Sequence, residues 1–381
     1  MDVTGLRIAL FSGNYNVTLD GANKALNRLV EYLLRQGASV RVYSPTVDEP
    51  AFQQQGDLVS LPSVAIPGRS EYRVPLGLSA RAKADLERFA PNIVHVSSPD
   101  FSARAALRWA KARGIPVLAS VHTRFETYPR YYGVGFLEPA LEGWIRGFYR
   151  RCDALVTPSQ SMVEVLREQR MNSDIAIWSR GVDRDIFGPE RRDPAWRRSL
   201  GIADEDVAIA FLGRLVMEKG LDRFAQTIDH LKARNISPKI IVIGDGPARG
   251  WFEAALPTAT FVGFQTGAGL GRALASADIF FNPSITETFG NVTLEAMASG
   301  LPVVASAATG STSLVQDGVS GRLVPPGSAE HFADALAPYL TDADLRRAHG
   351  AAGEKRSRDF SWDAINQVMA ETYLRLVAAS A

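Results

Sequence analysis

Short apolar runs alternate with amphipathic helical stretches along almost the whole chain, and few folds accept that pattern. Arg7–Phe11, Ser39–Tyr43, Ile93–Val96, Val117–Val121 and Ala154–Thr157 read as strands, with helices such as Gly21–Arg35 and Ala80–Phe89 between them. The pattern restarts with Ala208–Leu212, Lys239–Ile243, Thr260–Val262, Ile279–Asn282 and Val303–Ala305. Between the halves, the charged, proline-bearing stretch from Asp183 to Asp193 holds few apolar residues and reads as a linker. At 381 residues the chain exceeds what one hydrophobic core usually serves, so two α/β domains are expected. Two doubly wound domains facing each other would place a cleft at the carboxyl ends of both parallel sheets, where such folds bind ligands.

The formal net charge of +1 argues against a nucleic-acid partner recruited by bulk electrostatics. Cys152 is the only cysteine, which rules out a disulfide framework and a cysteine-rich metal site. The first residues lack the basic start and apolar stretch of a signal peptide, and no apolar run approaches the roughly 18 residues that span a bilayer. A cytoplasmic protein is expected, with contact to the inner face of a membrane left open.

The most informative local stretch is Glu287-Thr-Phe-Gly-Asn-Val-Thr-Leu-Glu295. Thr286 and Thr288 are suited to cap a helix start, Gly290 allows close backbone approach, and Gly300 is a natural stop. One carboxylate then lies before a helix N-terminus and the other within the helix. Free N–H groups at such a terminus attract phosphate, and flanking carboxylates grip hydroxyls, a combination that suits a sugar nucleotide.

Directly after strand Ala208–Leu212 comes Gly213-Arg214-Leu-Val-Met-Glu218-Lys219-Gly220. Two cations beside a helix start neutralise a diphosphate, each charge-assisted contact being worth about 1.5–3 kcal/mol. Gly244-Asp245-Gly246-Pro247 follows the next strand, but its glycine spacing is wrong for a dinucleotide fingerprint. Pro247 reads as an N1 proline, and the motif as a tight turn lining the cleft. In the first half, Gly13 and Gly21 permit close backbone approach in the first strand-to-helix loop. His122 ends strand Val117–Val121 among polar neighbours and is either an active-site group or a partly buried structural histidine. His95 is placed similarly in weaker company. The five histidines show no metal-ligand spacing, so no metal is expected. From Tyr131 and Tyr132 through Phe136, Leu137 and Trp144 to Arg151, aromatics mix with arginines. That stretch is either a surface for anionic lipid or a helix packing its aromatics inward. Arg104, Arg108, Lys111 and Arg113 read as a solvated helix face.

Together Glu287 to Glu295, Gly213-Arg214…Glu218-Lys219-Gly220, Gly244-Asp245-Gly246-Pro247 and Arg180-Gly181-Val182-Asp183…Phe187 resemble the fourth family of retaining glycosyltransferases, from about residue 6 to about 375. The resemblance implies a GT-B fold: two Rossmann-like, doubly wound parallel-sheet domains facing a cleft. Residues 1–182 would bind the acceptor and 183–361 the nucleotide-sugar donor, with the helix 362–381 crossing back to the first domain. It implies that Arg214 and Lys219 bind the donor diphosphate, that Glu287 contacts the donor sugar, and that Glu295 holds the ribose. Gly213, Gly246, the amides around Phe289, Gly290 and Asn291, and a base pocket of Val262, Gly263 and Phe264 would complete the donor site. His122 matches a family histidine near the donor sugar. Many members carry paired glycines in the first loop where this chain reads Asp20-Gly21, and Gly21 would keep the backbone contact. His122-Thr-Arg-Phe-Glu-Thr-Tyr128 and Trp178-Ser-Arg180-Gly181-Val182-Asp183 are most similar to enzymes that glycosylate lipids, mannosyl and sulfoquinovosyl transferases among them.

The implied reaction is hexosyl transfer from a GDP- or UDP-sugar, GDP-mannose first, to a lipid or glycolipid, with retention and no cofactor beyond the co-substrate. A polysaccharide, lipopolysaccharide or small soluble acceptor is the alternative. Rivals of other classes are a two-domain sugar-binding protein that closes without chemistry, a sugar-nucleotide epimerase, and a phosphorylase carrying pyridoxal phosphate on a lysine.

Overall fold

The computed structural model describes residues 2–18, 20–66, 69–127 and 135–380. The chain divides into two units, Met1–Arg180 with Trp362–Ala381, and Gly181–Ser361. Tyr128, Tyr131 and Tyr132 of the stretches singled out above lie outside the described residues.

The first unit contains β1 (Arg7–Phe11), β2 (Ser39–Ser44), β3 (Asp57–Ser60), β4 (Ser63–Ile66), β5 (Arg69–Pro75), β6 (Ile93–Val96), β7 (Val117–Ser120), β8 (Ala154–Thr157) and β9 (Ile175–Ile177). Seven of them form one parallel sheet in the order β3-β2-β1-β6-β7-β8-β9, while β4 and β5 pair antiparallel as a separate ribbon. Phe11, Val94, Val96, Val117 and Leu155 meet Ala103, Ala106 and Leu107 of helix Phe101–Lys111 and Ile145 and Phe148 of helix Glu138–Tyr149 in one core. The final helix, Trp362–Ser380, belongs to this unit: Asn366 Nδ2 donates to Arg28 O at 3.1 Å, and Arg375 pairs with Asp174 at 2.7 Å.

The second unit's strands are β10 (Ala208–Leu212), β11 (Lys239–Ile243), β12 (Thr260–Gly263), β13 (Ile279–Asn282), β14 (Val303–Ser306) and β15 (Gly321–Val324). They are parallel in the order β12-β11-β10-β13-β14-β15. Side chains alternate along each strand, and here both faces are apolar. Ala208, Ala210, Ile241, Phe280 and Val303 pack with Leu294 and Met297 on one side. Ile209, Phe211, Val242, Phe281 and Val304 pack with Phe224, Phe252 and Phe332 on the other. That double coverage is why these strands read as nearly continuous apolar runs.

The segment expected as a linker is instead folded into the second unit. Its few apolar residues decide this: Phe187 is buried in the core that also holds Val182, and Ile186 packs against it. Arg192 donates to Ala277 O at 2.6 Å and pairs with Asp278 at 2.8 Å.

Candidate active site

In the second sheet β10 lies beside β13, and the chain winds outward on either side of that pair. Such a switch in strand order leaves a crevice at the carboxyl ends, because the two flanking crossovers run to opposite sides. The loops that leave there are 213–220 and 283–290. One ion pair joins them: Lys219 Nζ lies 2.6 Å from Glu287 Oε1, with the lysine side chain 30% and the glutamate 16% exposed. Two further bonds hold this loop: Thr286 Oγ1 donates to Glu218 O at 3.3 Å, and Thr309 Oγ1 donates to Glu287 O at 2.7 Å.

Thr286 and Thr288 do not cap the following helix as expected. Gly290 occupies the N-cap of helix Asn291–Ala298 at φ 92°, a left-handed conformation that glycine adopts without Cβ strain. Being a glycine, the N-cap residue supplies no capping side chain, and the first N–H groups of a helix attract anions. Phe289 is buried in the core beside Phe360, 5.9 Å between ring centroids, so its backbone amide rather than its ring is what it offers a ligand. Glu295 lies half-buried within the helix, and Arg214 is exposed on the loop after β10.

The glycines of the neighbouring loops lock those loops together. Leu215 N donates to Asp245 O at 2.9 Å and Ala248 N to Leu215 O at 2.9 Å, an approach so close that a Cβ on Gly246 would lie 2.5 Å from Leu215 O. Gly213 N donates to Ile243 O at 3.0 Å, and Gly244 N to Gly263 O at 2.9 Å. Pro247 is not at N1, since the helix begins at Arg249. Val262 packs partly into the core, and Phe264 is 66% exposed just past β12. Sequence reasoning passed over Gly310. It lies in helix Thr309–Leu314, where a Cβ would come within 2.7 Å of Phe289 O and 2.9 Å of Glu287 Cβ. The small-residue run after β14 was the available signal.

In the first unit both ring nitrogens of His122 are engaged. Arg180 Nη2 lies 2.6 Å from Nδ1, and Ser120 Oγ lies 2.8 Å from Nε2. Ser120 Oγ is also 2.8 Å from His95 Nε2, and His95 Nδ1 is 2.7 Å from the Tyr373 hydroxyl. His95 is fully buried, and burial lowers its pKa to about 3. Burial, then the Arg180 charge, holds His122 well below the usual histidine range. Burial also lowers Arg180 to about 10, against the favourable charge of Asp20. Asp20 is the N-cap of helix Gly21–Arg35, accepting from Ala22 N at 3.0 Å and Asn23 N at 2.9 Å. A carboxylate thus satisfies the helix start that Gly21 opens. Arg180 and Tyr373 were not singled out as site residues from sequence, because their neighbours come from distant parts of the chain, and Ser120 was passed over as part of a strand.

Also in the first unit, helices Phe101–Lys111 and Glu138–Tyr149 border a groove of about 340 Å³ lined by Arg104, Leu107, Arg108, Lys111, Phe148 and Arg151. The Arg104 guanidinium lies 4.7 Å from the Trp144 ring centroid, and Lys111 pairs with Asp153 at 2.6 Å. Phe136 and Leu137 are exposed just before the second of these helices. Among the described residues no helix is long and apolar enough to cross a membrane.

Residues 206–342 match the family model described as Glycosyl transferases group 1, and residues 19–186 match Glycosyltransferase Family 4. The chain is 32% identical over 368 residues to a GDP-mannose-dependent alpha-mannosyltransferase of Mycolicibacterium smegmatis, covering 94% of this chain and 95% of the relative. It is 30% identical over 368 residues to the sulfoquinovosyl transferase SQD2 of Arabidopsis thaliana, covering 94% and 71%. Its fold matches that of a sucrose-phosphate synthase from Thermosynechococcus elongatus with a TM-score of 0.80 at 21% identity, over 98% of this chain and 99% of that one. Two parallel Rossmann-like units of the GT-B type, the two family matches and the likeness to the mannosyltransferase over nearly the whole of both chains place the chain in glycosyltransferase family 4, as a glycosyltransferase that uses a nucleotide sugar.

Proposed function

We propose that the protein is a retaining, metal-independent hexosyltransferase that uses no cofactor and acts on a lipid or glycolipid at an anionic membrane surface, with GDP-mannose as its foremost donor and a UDP-hexose as the alternative. The observation that carries this reading is the Lys219–Glu287 pair at the switch point, beside a helix N-terminus whose N-cap is a glycine. The donor diphosphate would take Lys219 and Arg214 as counter-charges, and Glu287, released from its lysine, would bind sugar hydroxyls. Glu295 would hold the ribose, and Val262, Gly263 and Phe264 the base. The C1–O bond to phosphate breaks and the leaving diphosphate takes the electron pair. The acceptor oxygen bonds C1 on the same face, and its proton passes to the leaving phosphate oxygen. Catalysis then rests on positioning and on charges aimed at the leaving group. The family resemblance assigns His122 to the donor sugar.

For the donor, the reading is supported by full-length likeness to an enzyme named as GDP-mannose-dependent. For the acceptor, it is supported by the resemblance to lipid-glycosylating enzymes and by the basic-rimmed groove with exposed aromatics beside it, which suits anionic headgroups. The test is a panel of radiolabelled GDP- and UDP-sugars offered with lipid extract and with soluble saccharides, each with and without EDTA. The expected outcome is label in the organic phase from one donor, undiminished by EDTA, and an α-linked product by NMR. Transfer confined to soluble acceptors, a β-linked product, or loss of activity with EDTA would each overturn the corresponding part.

A further inference from the structure

Arg180 was singled out in the sequence only as part of a motif, and the reaction above gives it no task. In the structure it is 4% exposed, and its Nη1 donates to Trp178 O and Ser179 O, both at 3.0 Å. Its Nη2 reaches His122 Nδ1 at 2.6 Å. A guanidinium has only donors. His122 Nδ1 must therefore be the acceptor in that bond, so the ring carries its proton on Nε2 and gives it to Ser120 Oγ at 2.8 Å. Protonating Nδ1 would set two donors against each other beside a buried positive charge. The remaining neighbours do not relieve this. Trp178 meets the His122 ring edge-on, with centroids 5.5 Å apart, and His95 lies beyond Ser120. The buried carboxyl of Asp20 acts on Arg180 through space, and Arg124 is paired with Glu126 at 2.8 Å.

We propose that Arg180 is a positioning residue that holds His122 as a neutral imidazole protonated on Nε2, so that His122 orients substrate by that one N–H and exchanges no proton during transfer. The inference rests on the reading that His122 serves the donor sugar. With Nδ1 occupied by Arg180, the Nε2 proton is the only one His122 carries, and a sugar hydroxyl must take the place of Ser120 Oγ to receive it.

The test uses the full chain labelled with nitrogen-15 histidine, the His122 signals being identified by their loss in His122→Gln. In the wild type those signals should keep the Nε2–H pattern from pH 8 to pH 5.5. In Arg180→Met they should move to mixed tautomers and titrate at higher pH than in the wild type, with burial still holding the ring below the ordinary histidine range. The kcat/KM profile of Arg180→Met should gain an acid limb falling about tenfold per pH unit below the pKa read from those spectra, while the wild type shows none from this group. Arg180→Lys, which keeps a charge and a donor, should restore the tautomer and flatten the profile. If Arg180→Met does not fold, the wild-type spectrum and Arg180→Lys carry the test. A wild-type His122 that titrates near 6.5, an unchanged tautomer in Arg180→Met, or parallel pH profiles would each overturn the proposal. The spectra are read without any transfer assay, so failure of the glycosyltransfer reading would show separately, as absence of product in the wild type.

Discussion

Replacing Lys219 by methionine removes the ammonium but keeps most of the stem that crosses between the loops after β10 and β13. In the resting protein Nζ is 2.6 Å from Glu287 Oε1, and neither side chain is more than a third exposed. Breaking a half-buried pair by deleting one partner leaves Glu287 unpaired, a cost of about 1–2 kcal/mol, or a few degrees in Tm for a domain of this size. The loss in catalysis should be larger. One charge-assisted contact to the leaving diphosphate is worth about 1.5–3 kcal/mol, and preorganised charge at a leaving group about 10²–10³ in rate. Lys219→Met should therefore lower kcat about a hundredfold while the protein stays folded at assay temperature. The double variant Lys219→Met with Glu287→Gln separates the two effects. Neutralising Glu287 removes the unpaired charge, so Tm should return towards the wild type while transfer stays low or falls further. If transfer recovers together with Tm, Lys219 serves only to hold the Glu287 loop. If Lys219→Met alone stays within threefold of the wild type, the leaving-group role is wrong.

Gly310→Ala should gain about 1 kcal/mol of helix propensity, yet the new Cβ would meet Phe289 O and Glu287 Cβ within 3.0 Å, and overpacking costs about 1–3 kcal/mol. Tm should fall by a few degrees and transfer by roughly tenfold or more, because the Glu287 loop is displaced; unchanged kinetics would show that the loop tolerates the shift. Burial takes His95 from an ordinary 6.5 to about 3, so the unfolded chain binds that proton first and stability is lost as pH falls below 6.5. Urea unfolding at pH 5 should show about 2 kcal/mol less stability from this residue than at pH 7.5, with His122 adding in the same direction; a flat profile would refute a neutral, buried His95. Arg108→Gln with Arg151→Gln removes two charges from the groove rim and should weaken sedimentation with phosphatidylglycerol vesicles about thirtyfold, at about 1 kcal/mol per cation. Equal binding by the double variant would place membrane contact elsewhere.

Much of the second unit was legible because its central strands are covered on both faces. Ile209 and Ala210, or Phe280 and Phe281, turn to opposite cores, and both cores demand apolar residues. The loops of the site were legible for a related reason: Gly213, Gly220 and Gly290 stand at positive φ, where other residues are strained, so they mark a strand end and two helix starts in the sequence. The capping expectation failed at Thr286 because the helix starts only at Asn291, with Gly290 as its N-cap. The linker expectation failed because Phe187, one residue in a polar stretch, is enough to draw that stretch into a core.

Element type, the restart of the pattern halfway along, and the residues bearing charge beside strand ends are local properties of the chain. They follow from side-chain periodicity and backbone conformation, which act over a few residues at a time. Which loops meet is a property of strand order, and neighbours in a sheet need not be neighbours in sequence. Lys219 and Glu287, 68 positions apart, come together because β10 lies against β13. Arg180 reaches His122 across 58 positions, and Tyr373 reaches His95 across 278, because the last helix belongs to the first unit. The protonation state of His122 depends on those contacts, and nothing adjacent to it in the chain carries that information.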